Sequence, residues 1–259
     1  MFSRAAQFRL CPCRCRTPMT ASLLVAAILA AMVPTNLPLD CGAEPLITLL
    51  DAGKDLYLGE IHGTEQAPAL VACLAQHAMR GHLSEKLIVS LELPENARDL
   101  NDAFWHQTRD GRSSWAMWNL VRQLLQHQKA GRLEIQWQDG RNEFPNGDRD
   151  RFIGESLLES SKRGLLIALS GNLHSSKAPM PFAPETQPAG MYVGPSAVHV
   201  FIDSVSAGSA WYCSSTCGSH GVKGAVIAGA APGAIVDGSD VNHDLIFFVS
   251  EFTASSPRY

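Results

Sequence analysis

Asp55-Leu56-Tyr57-Leu58-Gly59-Glu60-Ile61-His62-Gly63-Thr64-Glu65 is the stretch that decides the fold. An apolar run without alternation passes straight into a polar motif, as expected of a strand buried on both faces that stops at an open edge. Three further runs end in the same way. Leu87-Ile88-Val89-Ser90-Leu91 is closed by Glu92, Leu133-Glu134-Ile135-Gln136-Trp137 leads to Asp139, and Leu165-Leu166-Ile167-Ala168-Leu169 leads to Gly171-Asn172-Leu173-His174. In an open α/β sheet, ligands bind in the crevice outside the carboxyl ends of the strands. Glu60 with His62, Glu92, Asp139 and His174 therefore predict one shared pocket, in an enzyme or a ligand-binding protein rather than a scaffold.

The segments between these runs read as helices. Leu70, Val71, Leu74, Ala75 and Ala78 recur at helical spacing, with Thr64 as the expected cap. Further helices are expected over residues 96–106 and 113–129, and over a segment opened by Arg149-Asp150 that carries Phe152, Ile153, Leu157 and Leu158. The order β-α-β-α-α-β-α-β demands mainly parallel pairing with right-handed crossovers. Beyond His174 the texture changes. Residues 178–188 are proline-rich and read as a surface loop, residues 197–212 as a long strand broken at Ala207-Gly208, and residues 245–252 as a final strand. Residues 44–259 thus read as a single α/β domain with a mainly parallel central sheet and flanking helices.

The chain begins differently. Arg4, Arg9, Arg14 and Arg16 precede an uncharged apolar run from Ala21 to Val33, and Cys41-Gly42-Ala43 supplies small residues for cleavage. Residues 1–43 are read as a signal peptide of an exported, periplasmic or extracellular protein. The alternatives are a membrane anchor with a basic flank and a lipid anchor on Cys41, for which Asp40 is a poor neighbour. Nothing after Val33 is long and apolar enough for a stable membrane span. Removing four arginines and Asp40 from 21 basic and 25 acidic residues leaves 17 and 24, a formal charge of −7. No nucleic-acid partner is expected at that balance.

Export favours cystine. Cys213 and Cys217 are close enough for a local disulfide, and no second cysteine pair completes the rival reading as half a zinc site. Cys73 falls on the apolar helix face and is expected to be buried, inert and free.

Glu60 and His62, two apart on extended backbone, point the same way. Glu65 is expected to fold back over them, or to complement the helix dipole from the first turn. A carboxylate placed directly after a buried strand must reach water, a partner or a metal, because an unpaired buried charge is prohibitively costly. Two histidines on separate strand ends, His62 and His174, with Glu60 and Glu92 beside them, suit a zinc, manganese or iron site with an open position. They equally suit metal-free acid–base chemistry in which a carboxylate orients an imidazole. Arg149 is expected to pair with a site carboxylate and Asp150 to orient a histidine, against the plainer reading of a solvated charge cluster. No nucleophile elbow and no phosphate-cradling loop is present.

Gly59-Glu60-Ile61-His62-Gly63-Thr64-Glu65, then Leu91-Glu92-Leu93-Pro94, Arg149-Asp150 at a helix start and Gly171-Asn172-Leu173-His174, in that order, resemble one superfamily. It joins the erythromycin esterases, the ChaN-like haem-binding lipoproteins, the TraB proteins and the Tiki metalloproteases. The Arg-Asp element and the compact exported chain lean towards the ChaN-like branch. The resemblance covers roughly residues 55–175 and implies that Glu60, His62, Glu65, Glu92, Arg149, Asp150, Asn172 and His174 line the pocket. From the esterase branch it implies a water-activating base at His62, and from the Tiki branch a divalent metal on His62 and His174. Gly171 stands where the esterases carry a further histidine, and the chain lacks the length of their additional helical region, which speaks against macrolide lactones. The expected function is hydrolysis of a small-molecule or peptide substrate, with capture of haem or iron at the cell envelope as the alternative. Neither Tyr57, on a strand, nor Tyr192 matches a haem ligand.

Overall fold

A computed structural model describes residues 41–81, 86–107, 110–139, 149–227 and 230–258. Its centre is a seven-stranded sheet in the order β3-β2-β4-β1-β5-β9-β8. The strands are β1 (Asp55–Glu60), β2 (Leu87–Pro94), β3 (Leu133–Asp139), β4 (Leu165–Gly171), β5 (Ala197–Ser204), β8 (Ile235–Asp237) and β9 (Leu245–Val249). All neighbours pair in parallel except β8, which runs antiparallel to β9 at the edge. A separate antiparallel hairpin joins β6 (Gly208–Cys213) to β7 (Cys217–Val222).

The period-two geometry of the strands divides their apolar side chains between two cores. Leu56, Leu58, Val89, Leu91, Ile167 and Leu169 enter the larger core, with α1 (Glu44–Asp51), α2 (Gln66–Arg80) and α4 (Trp115–Lys129). Tyr57, Ile88, Leu166 and Ala168 face the smaller one, built with Ile153 and Leu157 of α5 (Arg149–Ser161). Burial on both faces is why β1 and β4 carry almost unbroken apolar runs. It also sets the connections: α2 carries the chain from β1 past β4 to β2, and α5 carries it back from β3 past β2 to β4. The carboxyl ends of β3, β2, β4 and β1 then stand side by side.

Three segments depart from the sequence expectation. Residues 96–106 do not form one helix: a 3₁₀ turn (Glu95–Arg98) is followed by a short helix, α3 (Phe104–Gln107). Asp99 accepts from the N–H of Asn101 and Asp102 from the N–H of Phe104, so carboxylates take two backbone donors a helix would have used, and Asp102 also accepts from Asn96 Nδ2. The long strand over 197–212 divides into β5 in the sheet and β6 in the hairpin, where Ser209 N–H donates to Phe252 O. Thr64 does not cap α2; its hydroxyl donates to Ile61 O, and Glu65 holds the cap position. Asn146 and Asp148, which the sequence offers as caps for the helix carrying Phe152 and Ile153, lie outside the described residues.

Cys213 and Cys217 are bonded across the hairpin end. Cys73 is not free, contrary to its expected role: it is half-buried at the margin of the apolar face of α2 and bonded to Cys41. The bond ties the segment before α1 to α2, with Ala43, Leu46 and Leu50 packed into the core behind it. A cut after Ala43 made before the bond forms would remove Cys41 and leave Cys73 without this partner. The four bonded cysteines predict no free thiol in a secreted chain that keeps residue 41, and one free thiol in a chain processed after Ala43, by thiol counting under denaturing, non-reducing conditions. In a chain that keeps residue 41, Cys73→Ser is expected to cost about 2–4 kcal/mol by urea unfolding, from release of the loop closed by the bond.

Candidate functional site

Glu92 is the centre of the site. At the end of β2 the pairing with β3 slips, Leu91 lying opposite Trp137 but Pro94 opposite Asp139, so an extra residue bulges at Glu92-Leu93. Leu91 and Leu93, two apart, share the larger core, which leaves Glu92 between them on the other side at the end of the strand. The Glu92 carboxylate is only 5% exposed and is met by five groups, one of them Arg112, whose Nη1 lies 3.5 Å from Oε1. Gly171 N–H donates to Oε2 at 2.7 Å, and Arg149 donates to Oε1 at 2.7 Å. His62 Nε2 lies 3.7 Å from Oε2 and His174 Nε2 3.6 Å from Oε1.

Each histidine is held on its other nitrogen by its own carboxylate. His62 Nδ1 lies 2.9 Å from Oε1 of buried Glu60, the last residue of β1, and His174 Nδ1 lies 2.5 Å from Asp150 at the start of α5. Arg149 Nη1 approaches His174 Nε2 at 3.2 Å. A guanidinium can only donate, so Nε2 accepts and the ring proton sits on Nδ1, facing Asp150. His62 packs so closely on the end of β4 that a Cβ at Gly171 would fall 2.9 Å from His62 Nε2. That position admits no side chain unless the imidazole moves.

The arginines are locked in turn. Arg149 Nε donates to Asp139 at 2.7 Å, and Arg112 donates to the other Asp139 oxygen at 2.6 Å and to Asp110 at 2.7 Å. Arg112 carries no sequence motif. What places it is Gly111, whose φ of +86° brings the backbone against Gly63, itself at φ +75°. A Cβ at Gly111 would lie 2.6 Å from Gly63 N, and one at Gly63 would lie 2.0 Å from Trp211 O. Both positions need glycine, for conformation and for room. The loop of the first motif is thus pinned by β6, with Trp211 N–H and Ser255 N–H both donating to Gly63 O. A C-terminal strap completes the brace: Glu65 N–H donates to Thr253 O, and Trp115 N–H to Ser256 O.

Of the residues expected in the pocket, Glu60, His62, Glu92, Arg149, Asp150 and His174 meet, together with Asp139. Asn172 contributes through its backbone, whose N–H donates to Glu60 O. Glu65 does not fold back over the site. It begins α2 and is exposed, because the turn at Gly63 and the bond from its own N–H to the strap carry it outward. Below the site runs a buried chain with no sequence signature: Tyr57 hydroxyl to Ser170, Ser170 to Gln138, Gln138 to Ser90. His199 and His243 are buried and hydrogen-bonded to Ser175, by its carbonyl and its hydroxyl respectively.

Charge follows from these contacts. Burial alone would raise the Glu92 carboxyl, but the charged groups around it, His62 and the guanidiniums of Arg149 and Arg112, outweigh it and bring it down to about 2. Burial raises Glu60, against the opposing pull of His62. His62 would be lowered by burial, yet the hydrogen bond to Glu60 and the charges of Glu92 and Glu60 push it up to about 9.

A divalent metal does not fit these residues as they are placed. Arg149 already donates to both His174 Nε2 and Glu92 Oε1, so its cation occupies the face on which the two histidines would share an ion. Among the described residues no group of three or more His, Cys, Asp or Glu is disposed to hold a metal. For haem, the Tyr57 hydroxyl is fully buried on Ser170, and the Tyr192 hydroxyl donates to Gln187.

No protein family and no curated protein matches the chain at the sequence level. Two solved structures are similar. A succinoglycan biosynthesis protein aligns with TM-score 0.57 at 9% identity over 83% of this chain and 92% of its own. The type III effector HopBA1 aligns with TM-score 0.44 at 12% identity over 81% and 93%. The first relates the fold alone. Among the described residues no helix is long and apolar enough to cross a membrane.

The Glu92 and His62 shifts each add a pH dependence to stability, one on the acid side and one on the alkaline side. Lowered from 4.5 to about 2, Glu92 stabilises the fold above pH 4.5, and that contribution is lost as pH falls towards 2. Raised from 6.5 to about 9, His62 stabilises the fold below pH 6.5, and that contribution is lost as pH rises through 9. The melting temperature is expected to decline on both sides of that window. In His62→Gln the decline between pH 6.5 and 9 should disappear.

Proposed function

We propose that the chain is an exported hydrolase of carboxylic esters or lactones with a ChaN/erythromycin-esterase-like pocket, in which His62 activates water without a metal. The observation that carries this reading is the orientation of His62: Nδ1 is fixed by the buried carboxylate of Glu60, and Nε2 is turned to the face it shares with Glu92. A carboxylate that orients an imidazole and supports its protonated form is the arrangement general-base chemistry requires. The exported location rests on the basic and apolar pattern of residues 1–43 and on the cystines.

In this mechanism neutral His62 donates Nδ1–H to Glu60 and presents the Nε2 lone pair to a water molecule. As Nε2 takes a proton, the water oxygen attacks the carbonyl carbon and the C=O π pair moves to oxygen. Arg149 and Arg112 are the cations available to offset that oxyanion. When the intermediate collapses, the C–O bond to the leaving group breaks, and the alkoxide takes the proton from His62. Glu60 remains ionised throughout. His174, oriented by Asp150 and bonded to Arg149, is a positioning residue for the guanidinium.

Hydrolysis of a panel of esters and lactones tests the reading. His62→Ala is expected to lower kcat/KM by about 10²–10⁴-fold with an unchanged far-ultraviolet circular dichroism spectrum. Since the base must be neutral, the wild-type kcat/KM should rise with pH up to about 9. Glu60→Gln removes a charge that raises His62 and should move that limb to lower pH. Full activity in His62→Ala, or a rate that falls as pH approaches 9, would refute His62 as the base.

A further inference from the structure

Beside His174 lies a small pocket that the chemistry above does not use. It has a volume of about 120 Å³ and is walled by Leu173, Met180, Phe182, Ala183 and Pro188. One end is lined by His174 and Asp150, the imidazole–carboxylate pair of the site. Leu173 and Phe182 are 45% and 75% exposed, unusual for large apolar side chains flanking a polar centre. The wall is built rather than draped. Ala183 N–H donates to Met180 O and Thr186 N–H to Ala183 O, making consecutive turns. At the far end Gly190 N–H donates to His174 O, while Ala189 sits so tightly on α5 that a Cβ at Gly154 would fall 2.3 Å from its carbonyl. The pocket wall and the His174–Asp150 pair are therefore positioned by the same contacts.

We infer that this pocket receives the acyl chain of the substrate and limits it to a short apolar group of about four to six carbons. The inference rests on the hydrolase reading and adds the substrate class. Its volume is slightly below the roughly 150 Å³ of a dry protein cavity that accommodates benzene, so a butyl-sized group fits and a long fatty chain does not. The Nε2 atoms of both imidazoles lie within 3.7 Å of Glu92, so a carbonyl placed before His62 has its acyl substituent within reach of the pocket at the end lined by His174.

The test is a series of p-nitrophenyl esters from acetate to dodecanoate. In the wild type kcat/KM should rise about fourfold per methylene as far as butanoate, the transfer free energy of one CH₂, and fall beyond hexanoate. Ala183→Leu fills the pocket and Leu173→Ser opens its wall to water; each should reduce the butanoate-to-acetate ratio about tenfold or more. A flat series, a rise continuing to dodecanoate, or an unchanged ratio in both variants would overturn the assignment. If the wild type cleaves no ester, the hydrolase reading fails by itself, and the pocket is judged by saturation-transfer NMR with 2-hexanone, an uncleavable ketone. Binding that is lost in Ala183→Leu keeps the subsite. Absence of binding, or equal binding in that variant, removes it.

Discussion

The structure depends on the requirement that the Glu92 carboxylate, drawn out of water at the end of a central strand, be neutralised. An isolated buried carboxylate is costly enough that a fold either protonates it or surrounds it with cations and donors. Here it stays ionised because Arg149, Arg112 and His62 converge on it with the N–H of Gly171. Each of those groups comes from a different segment. Satisfying one charge thus fixes the relative positions of the β1 and β4 ends, the loop before α4 and the start of α5. Removing a partner from such a cluster leaves uncompensated charge, so the cluster specifies the geometry of this edge as much as it stabilises it.

Around that charge the carboxylates act in pairs of opposite duty. Glu60 and Asp150 each hold one histidine by Nδ1, while Asp139 holds both arginines. The imidazoles therefore cannot rotate freely, and their Nε2 atoms are left as the chemically active ends. One of these accepts from Arg149; the other, on His62, is the nitrogen left for a proton from outside the protein. The two rings are alike in sequence context and differ in role because His174 accepts a hydrogen bond from a guanidinium and His62 does not.

The support for this edge comes from parts of the chain far from any motif. The hairpin places the backbone of Trp211 against Gly63, and the strap from Thr253 to Pro257 bonds to the first motif and to the start of α4. Gly63 and Gly111 touch because neither has a side chain. These contacts are between backbones, so they depend on conformation and leave little mark on residue type. The wall of the apolar pocket has the same character, secured through Gly154, Ala189 and Gly190.

Much of the fold was legible because it rests on local pattern. Apolar runs bounded by polar motifs marked β1 to β4, the helical spacing of Leu70 to Ala78 and of Trp115 to Leu125 marked α2 and α4, and their order required a parallel sheet. The strand-end positions of Glu60, Glu92, Asp139 and His174 follow from that sheet alone. What composition could not show was set by contacts between distant segments. The helix expected over 96–106 broke because Asp99 and Asp102 capture its amides. Cys73 found Cys41 across the end of a helix. Glu65 turned outward with its backbone bonded to Thr253, and Arg112 entered the site through the abutment of two glycines. The sequence by itself determined which residues stand at the edge of the sheet, since strand burial and alternation are properties of the neighbouring chain. Tertiary structure alone decided which of them share the buried charge, because neutralising it takes cations and donors from segments that the sequence holds far apart.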